Sequence, residues 1–209
     1  DKSLKKRDME RIIKPLKLFG VKFKNKSKTL PILMKGAKSL NPIKFEEKLG
    51  SAQCKSAVMI AALKTKGKTK LKCLPSRDHT ELMFKNVLNI PINVIKKKNY
   101  DIIEINGLKK FKQFNYKIPG DISSASFFIV LTLLANKSSL LIKSVNINPS
   151  RIGIIKVLNM MGSKIRFLNK KYYKGEKISD IYVKSKKNLK GISLSPKFNS
   201  AAIDEFLLI

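Results

Sequence analysis

The chain has 209 residues, 43% of them hydrophobic, and a formal charge of +31. That length and apolar share are enough for one large or two smaller globular domains and exclude a disordered chain. The charge first suggests nucleic acid, yet it is spread through every segment and nearly all of it is Lys, with arginine only at Arg7, Arg11, Arg77, Arg151 and Arg166 and no Trp.

Base readout and bidentate phosphate grip favour Arg, and single-strand binding favours interleaved aromatics, so no nucleic-acid partner is expected. Lys beside abundant Ile and Asn reads instead as coding bias toward A and T. Cys54 and Cys73 are too few for a disulfide framework or a metal site, so reduced thiols and a cytoplasmic setting are expected. The longest apolar runs fall well short of the roughly 20 residues needed to span a bilayer, and no membrane association is expected. The chain opens on Asp1 without Met and stops at Ile209 inside an apolar run, which reads as an internal fragment.

In chain order, Met9, Ile12, Ile13, Leu16 and Phe19 follow helical spacing up to Gly20, predicting a surface helix in which Pro15 bends or shifts the start. Val21–Lys24 and Leu30–Met34 read as short strands, and Ile43–Phe45 as a third that leads into Ser51-Ala52-Gln53-Cys54-Lys55-Ser56-Ala57. There a small, polar helix start runs into the apolar stretch Ala57–Leu63, which has no wet face and predicts a buried helix. Its first turn, with unpaired N–H groups, the Ser51 hydroxyl and the Gln53 amide, reads either as an anion site or as the cap of a core helix.

Thr69–Leu74 alternates as a strand and delivers Ser76-Arg77-Asp78-His79-Thr80-Glu81 before a further helix. Asp78 and Glu81 have the form of a capping box. Arg77 is left over, a guanidinium at a strand-to-helix turn where it can hold a planar anion. His79, the only histidine, reads as an exposed first-turn residue rather than a base. Ile92–Ile95, Tyr100–Ile105 and Gln113–Ile118 read as strands, and Pro119-Gly120 suits a change of lobe, with Asp121 able to cap the Ser124 helix, read over Ser126–Leu134. A strand over Ser139–Val145, a helix from Arg151 to Met161 with Asn148 as cap and Pro149 at its start, and strands over Lys164–Leu168, Ile181–Lys184 and Ile192–Leu194 follow. The small polar start recurs at Ser51, Ser124 and Ser200, so the repeating unit is a small subdomain rather than a single hairpin.

Five motifs in order, SAQCKSA at 51–57, SRDHTE at 76–81, PGDISSAS at 119–126, NPSRIG at 148–153 and IDEF at 203–206, give the chain a close resemblance over essentially its whole length to the 5-enolpyruvylshikimate-3-phosphate synthase family. SAQ and IDEF resemble the glyphosate-insensitive bacterial class. The resemblance implies an α/β fold of repeated βαβαββ subdomains in two lobes, here incomplete, with residues 1–118 in the shikimate 3-phosphate-binding lobe and 119–209 in the other. It implies transfer of the enolpyruvyl group of phosphoenolpyruvate to the 5-hydroxyl of shikimate 3-phosphate, with no metal or organic cofactor, by a monomer. Ser51, Ala52, Gln53 and Arg77 match substrate-binding positions. Asp204 matches the carboxylate that accepts the hydroxyl proton, although on its spacing alone it is a first-turn carboxylate facing a helix dipole.

Other family groups lie outside this chain: an amino-terminal Lys-Ser pair, a Gly-Asn loop with its following Arg, and Lys, Glu and Arg residues after the Asp204 position. The piece alone is therefore expected to be inactive. Asp8 and Leu88 stand where the family often has Pro and Gly. The rival readings are a UDP-N-acetylglucosamine enolpyruvyl transferase and a noncatalytic basic remnant.

Overall fold

A computed structural model describes residues 2–24, 27–107, 113–186, 188–195, 198 and 202–208, with 203 and 204 described by backbone alone. The chain forms two compact units, Asp1–Phe114 and Asn115–Ile209.

The first unit opens with a single turn, α1 (Lys2–Lys5), then α2 (Glu10–Leu18), with Pro15 inside it, and a short antiparallel pair, β1 (Lys22–Phe23) and β2 (Met34–Lys35). Its main body is β3 (Lys44–Glu47), α3 (Ala52–Ala62), β4 (Lys68–Cys73), α4 (His79–Asn86), β5 (Ile92–Lys96) and β6 (Asp101–Asn106). The sheet order is β3-β4-β6-β5, with β3 and β4 parallel and the other pairings antiparallel. Alternation sets the inner face: Thr69, Leu71 and Cys73 of β4 and Ile103 and Ile105 of β6 are buried. They pack with Val58, Met59 and Ala62 of α3, Phe84 of α4 and Phe19 after α2. Each such side chain stabilises the fold by roughly 1.5–3 kcal/mol when fully buried. Gly107 closes the unit: a Cβ there would overlap the Ala62 and Thr65 carbonyl oxygens.

The second unit repeats the plan with α5 (Ile122–Leu134), β7 (Ser139–Asn146), α6 (Gly153–Met160), β8 (Arg166–Tyr173) and β9 (Glu176–Lys184) in the order β7-β9-β8. The counterpart of β3 is reduced to one parallel bridge, Gly120 to Val145. Both β7 and β8 carry irregularities. The Asp180 carboxylate holds them together, accepting from Ser144 N–H and Asn169 Nδ2, each at 2.8 Å, where Ser144 and Asn169 have φ of 54° and 51°. Ile129, Leu133, Ile154, Leu158, Ile181 and Val183 centre its core. A 3-10 turn follows at Ile203–Leu208.

Several expectations change. The apolar stretch of α3 does have a wet face, since Ile60 is 58% exposed. In α5 the mismatch is larger: Phe127, Phe128, Leu131 and Leu134 all lie exposed. Each helix lays one stripe on its sheet, and no described residue buries the opposite stripe. Residues 113–118 and 192–194 are not strands, because their apolar residues find no strand partner among the described residues. The helix foreseen from Arg151 begins at Gly153, while Asn148 Oδ1 accepts from Ser150 N–H and Oγ in a local turn ahead of it. The helix start foreseen at Ser200 lies outside the described residues.

Candidate active site

Because β3 and β4 are parallel neighbours with Glu47 opposite Cys73, the loops that follow them leave the sheet at the same end. Those loops are 48–51 and 74–78, and they carry Ser51 and Arg77. Carboxyl ends of adjacent parallel strands are where α/β folds bind ligands. The first loop is shaped by Glu47, whose buried carboxylate accepts from the N–H groups of Leu49 (2.8 Å), Gly50 (2.9 Å) and Ser51 (3.1 Å). Gly50 takes the turn at φ +65°, and a Cβ there would come into ordinary contact with Leu74 and Pro75 on the second loop.

Ser51 caps α3, its Oγ accepting from Cys54 N–H at 3.2 Å. Ala52 is the first helical residue and is half-buried, and Gln53 beside it is exposed. Arg77 is also exposed, and no described carboxylate is ion-paired with it. The positive end of the helix dipole, an amide and a guanidinium thus share one edge of the first unit, which suits a doubly charged anion. Asp204 belongs to the 3-10 turn of the second unit, and its side chain lies outside the described residues.

The capping box at the start of α4 does not form. Asp78 is the N-cap without a side-chain cap bond, and its carboxylate lies 3.6 Å from Lys96. Glu81 turns inward instead, with Oε1 2.7 Å from Nζ of Lys55, a lysine with no exposed surface. Burial pushes the Glu81 carboxyl above its usual range, against the pull of Lys55. His79, expected to be exposed, is half-buried as the first residue of α4.

A cavity of about 540 Å³ opens beside α3, lined among others by Arg7, Arg11, Lys14, Glu46 and Cys54. The Arg11 Nε within the first unit is buried with no partner among the described residues, and Cys54 Sγ donates to the Arg11 carbonyl at 3.1 Å. Sequence reasoning passed over Arg7 and Arg11 by treating their helix as surface. The signal was their type, since arginine fills five of the 45 Lys and Arg positions. Burial raises the thiol of Cys54 to about 11 and that of Cys73 to about 12, which keeps both protonated near neutral pH. No described group of three or more His, Cys, Asp or Glu is placed to hold a metal, and no described helix is long and apolar enough to cross a membrane.

The model of one family, EPSP synthase (3-phosphoshikimate 1-carboxyvinyltransferase), matches residues 1–205. The chain belongs to the EPSP synthase family. It is 40% identical over 210 residues to the 3-phosphoshikimate 1-carboxyvinyltransferase of Ruthia magnifica subsp. Calyptogena magnifica, an alignment covering 100% of this chain and 47% of that protein. The enzyme of the same name from Petrotoga mobilis is 39% identical over 213 residues, covering 100% and 48%. Among solved structures, EPSP synthase from Acinetobacter baumannii superposes with a TM-score of 0.80 at 36% identity, over 99% of this chain and 46% of that one. The enolpyruvyl transferase NikO from Streptomyces tendae shares the fold, with a TM-score of 0.64 at 14% identity over 88% of this chain and 43% of that one. The chain thus spans about half the length of the EPSP synthases it matches. The α/β fold of βαβαββ units that the resemblance implied agrees with the element order of both units and with the superposition on EPSP synthase.

Proposed function

We propose that this chain is part of an enzyme that transfers the enolpyruvyl group of phosphoenolpyruvate to the 5-hydroxyl of shikimate 3-phosphate. Residues 1–118 belong to the lobe that binds shikimate 3-phosphate, through Ser51, Ala52, Gln53 and Arg77, and residues 119–209 to the other lobe. The observation that carries this reading is the parallel β3–β4 pair, which sends Ser51–Gln53 and Arg77 out of the sheet at one end, within a chain of the EPSP synthase family. The helix end and Gln53 receive one anionic group while the Arg77 guanidinium holds another.

The acceptor oxygen adds to C2 of phosphoenolpyruvate as Asp204 takes the hydroxyl proton and C3 gains a proton. The C2–O bond to phosphate then breaks and C3 returns a proton, leaving the enol ether and inorganic phosphate. Asp204 therefore acts as general base toward the 5-hydroxyl. The reaction as read needs no metal or organic cofactor, and the protein works as a cytoplasmic monomer without nucleic acid.

Phosphate release by the protein that carries this chain tests the reading. Release should require both phosphoenolpyruvate and shikimate 3-phosphate and fall by about a hundredfold or more in Asp204→Ala. Equal release with UDP-N-acetylglucosamine as acceptor, or undiminished turnover in Asp204→Ala, contradicts it.

A further inference from the structure

We infer that Lys55 and Glu81 are a positioning pair for shikimate 3-phosphate binding, fixing the turn that carries Arg77 against the start of α3. The inference rests on the function proposed above. Lys55 Nζ lies 2.7 Å from Glu81 Oε1 and donates to the Ser76 carbonyl at 3.4 Å, so one buried ammonium ties α3 both to α4 and to the residue before Arg77. Next to this pair, Ser56 Oγ and Thr80 Oγ1 are hydrogen-bonded at 2.7 Å. The two helix starts are thus stitched together, and the 74–78 loop is tied to α3 through the Ser76 carbonyl.

Stability does not account for this arrangement. Lys55 is the fourth residue of α3, where a cation meets the positive end of the dipole and is disfavoured. Taking both charges out of water is costly, and a buried ion pair often gives no more stability than apolar side chains of the same volume. The pair is also incompletely satisfied, since Glu81 Oε2 and Ser76 Oγ are buried without partners among the described residues. What it does supply is direction. An apolar contact can slide, whereas an ammonium shared between a carboxylate and one backbone carbonyl fixes where that carbonyl lies. Misplacing a binding group by about 1 Å costs on the order of a hundredfold, so a fixed Arg77 is worth the electrostatic penalty.

The test uses the protein that carries this chain and titrates it with shikimate 3-phosphate. Arg77→Ala is the reference and reports on the functional reading itself: if it leaves affinity unchanged, that reading and the pair's role through Arg77 both fall. With Arg77 responding, Lys55→Met/Glu81→Leu and Glu81→Gln should each fold and weaken binding by about tenfold or more, with KM for shikimate 3-phosphate rising and KM for phosphoenolpyruvate within about twofold. Adding Arg77→Ala to either variant should cost little beyond Arg77→Ala alone, because the pair works through that residue. Native affinity in the apolar double variant, or losses that simply add to that of Arg77→Ala, would overturn the inference while leaving the functional reading intact. Should the apolar pair fail to fold, Glu81→Gln carries the same comparison.

Discussion

The two units place an arginine at the same point of the same topology and use it differently. In the first, the cap of α3 is the neutral Ser51, and Arg77, on the loop after β4, is exposed with no described carboxylate paired to it. In the second, the cap of α5 is Asp121, and Arg151, on the loop after β7, lies 2.9 Å from its Oδ1. Arg151 also donates to Ser123 Oγ at 2.7 Å, and Ser123 donates to the buried Glu205. The second unit thus pairs its arginine with the carboxylate that caps its helix, while in the first the cap is neutral, the Glu47 carboxylate takes the N–H groups of the loop before it, and Arg77 has no described ion-pair partner. On the function proposed above, that difference at the cap leaves Arg77 and the start of α3 open to an anion.

The largest effect should come from the interior pair that, among the described residues, the first unit has and the second lacks. Lys55→Met alone strands the buried Glu81 and should cost about 3–5 kcal/mol in urea unfolding, whereas Arg151→Met, at a pair whose Asp121 is half-exposed, should cost about 1 kcal/mol or less. Equal losses would remove the distinction between the two pairs. Next in size, Ser51→Asp gives the first unit the cap of the second. Aspartate caps as well as serine, so stability should hold while shikimate 3-phosphate affinity drops by about tenfold or more, measured by calorimetry. Unchanged affinity would mean that the start of α3 is not where the anion sits.

How far the sequence announced this contrast depends on the range of each contact. The Asp121 cap was legible because its partner, Ser124 N–H, is three residues away. Asp78 and Glu81 matched a local motif just as well, yet Glu81 was drawn off by Lys55, 26 residues earlier, a contact that no short pattern contains. The recurring order helix, strand, helix, strand, strand was legible from alternation and apolar runs, but the exposed stripe of α5, with Phe127 and Leu131, was not, since hydrophobicity does not say what covers a face. Gln113–Ile118 shows the same limit, being strand-like in composition and without a partner strand among the described residues. Arg7 and Arg11 required knowing that α2 borders a cavity beside α3.

Smaller effects sharpen the comparison further. Partial burial works against ionisation of Asp121, but bonds from the Ser124 N–H and hydroxyl and the Arg151 charge hold its carboxyl below the usual range. A carboxyl with a depressed folded pKa contributes stability above its unfolded pKa and loses it as pH falls through the folded one. Asp121→Asn should therefore be slightly less stable than the native protein at pH 7, by well under about 1 kcal/mol, and the difference should vanish below the ordinary Asp range. A gap that persists in acid would assign the effect to packing. Smallest of all, Cys73, with its pKa raised to about 12 and its side chain buried in the sheet, should react with Ellman's reagent at pH 8 only as fast as the fold opens. Rapid labelling of Cys73 in the native protein would show that the inner face of β4 is open to solvent.

The most direct measurement is a calorimetric titration of shikimate 3-phosphate into the protein that carries this chain, run in parallel on Arg77→Ala and Arg151→Ala. An open first site and a self-filled second one predict saturable binding that weakens by about tenfold or more in Arg77→Ala and stays within about twofold of native in Arg151→Ala. Binding that ignores Arg77, or that falls equally in both variants, would contradict it.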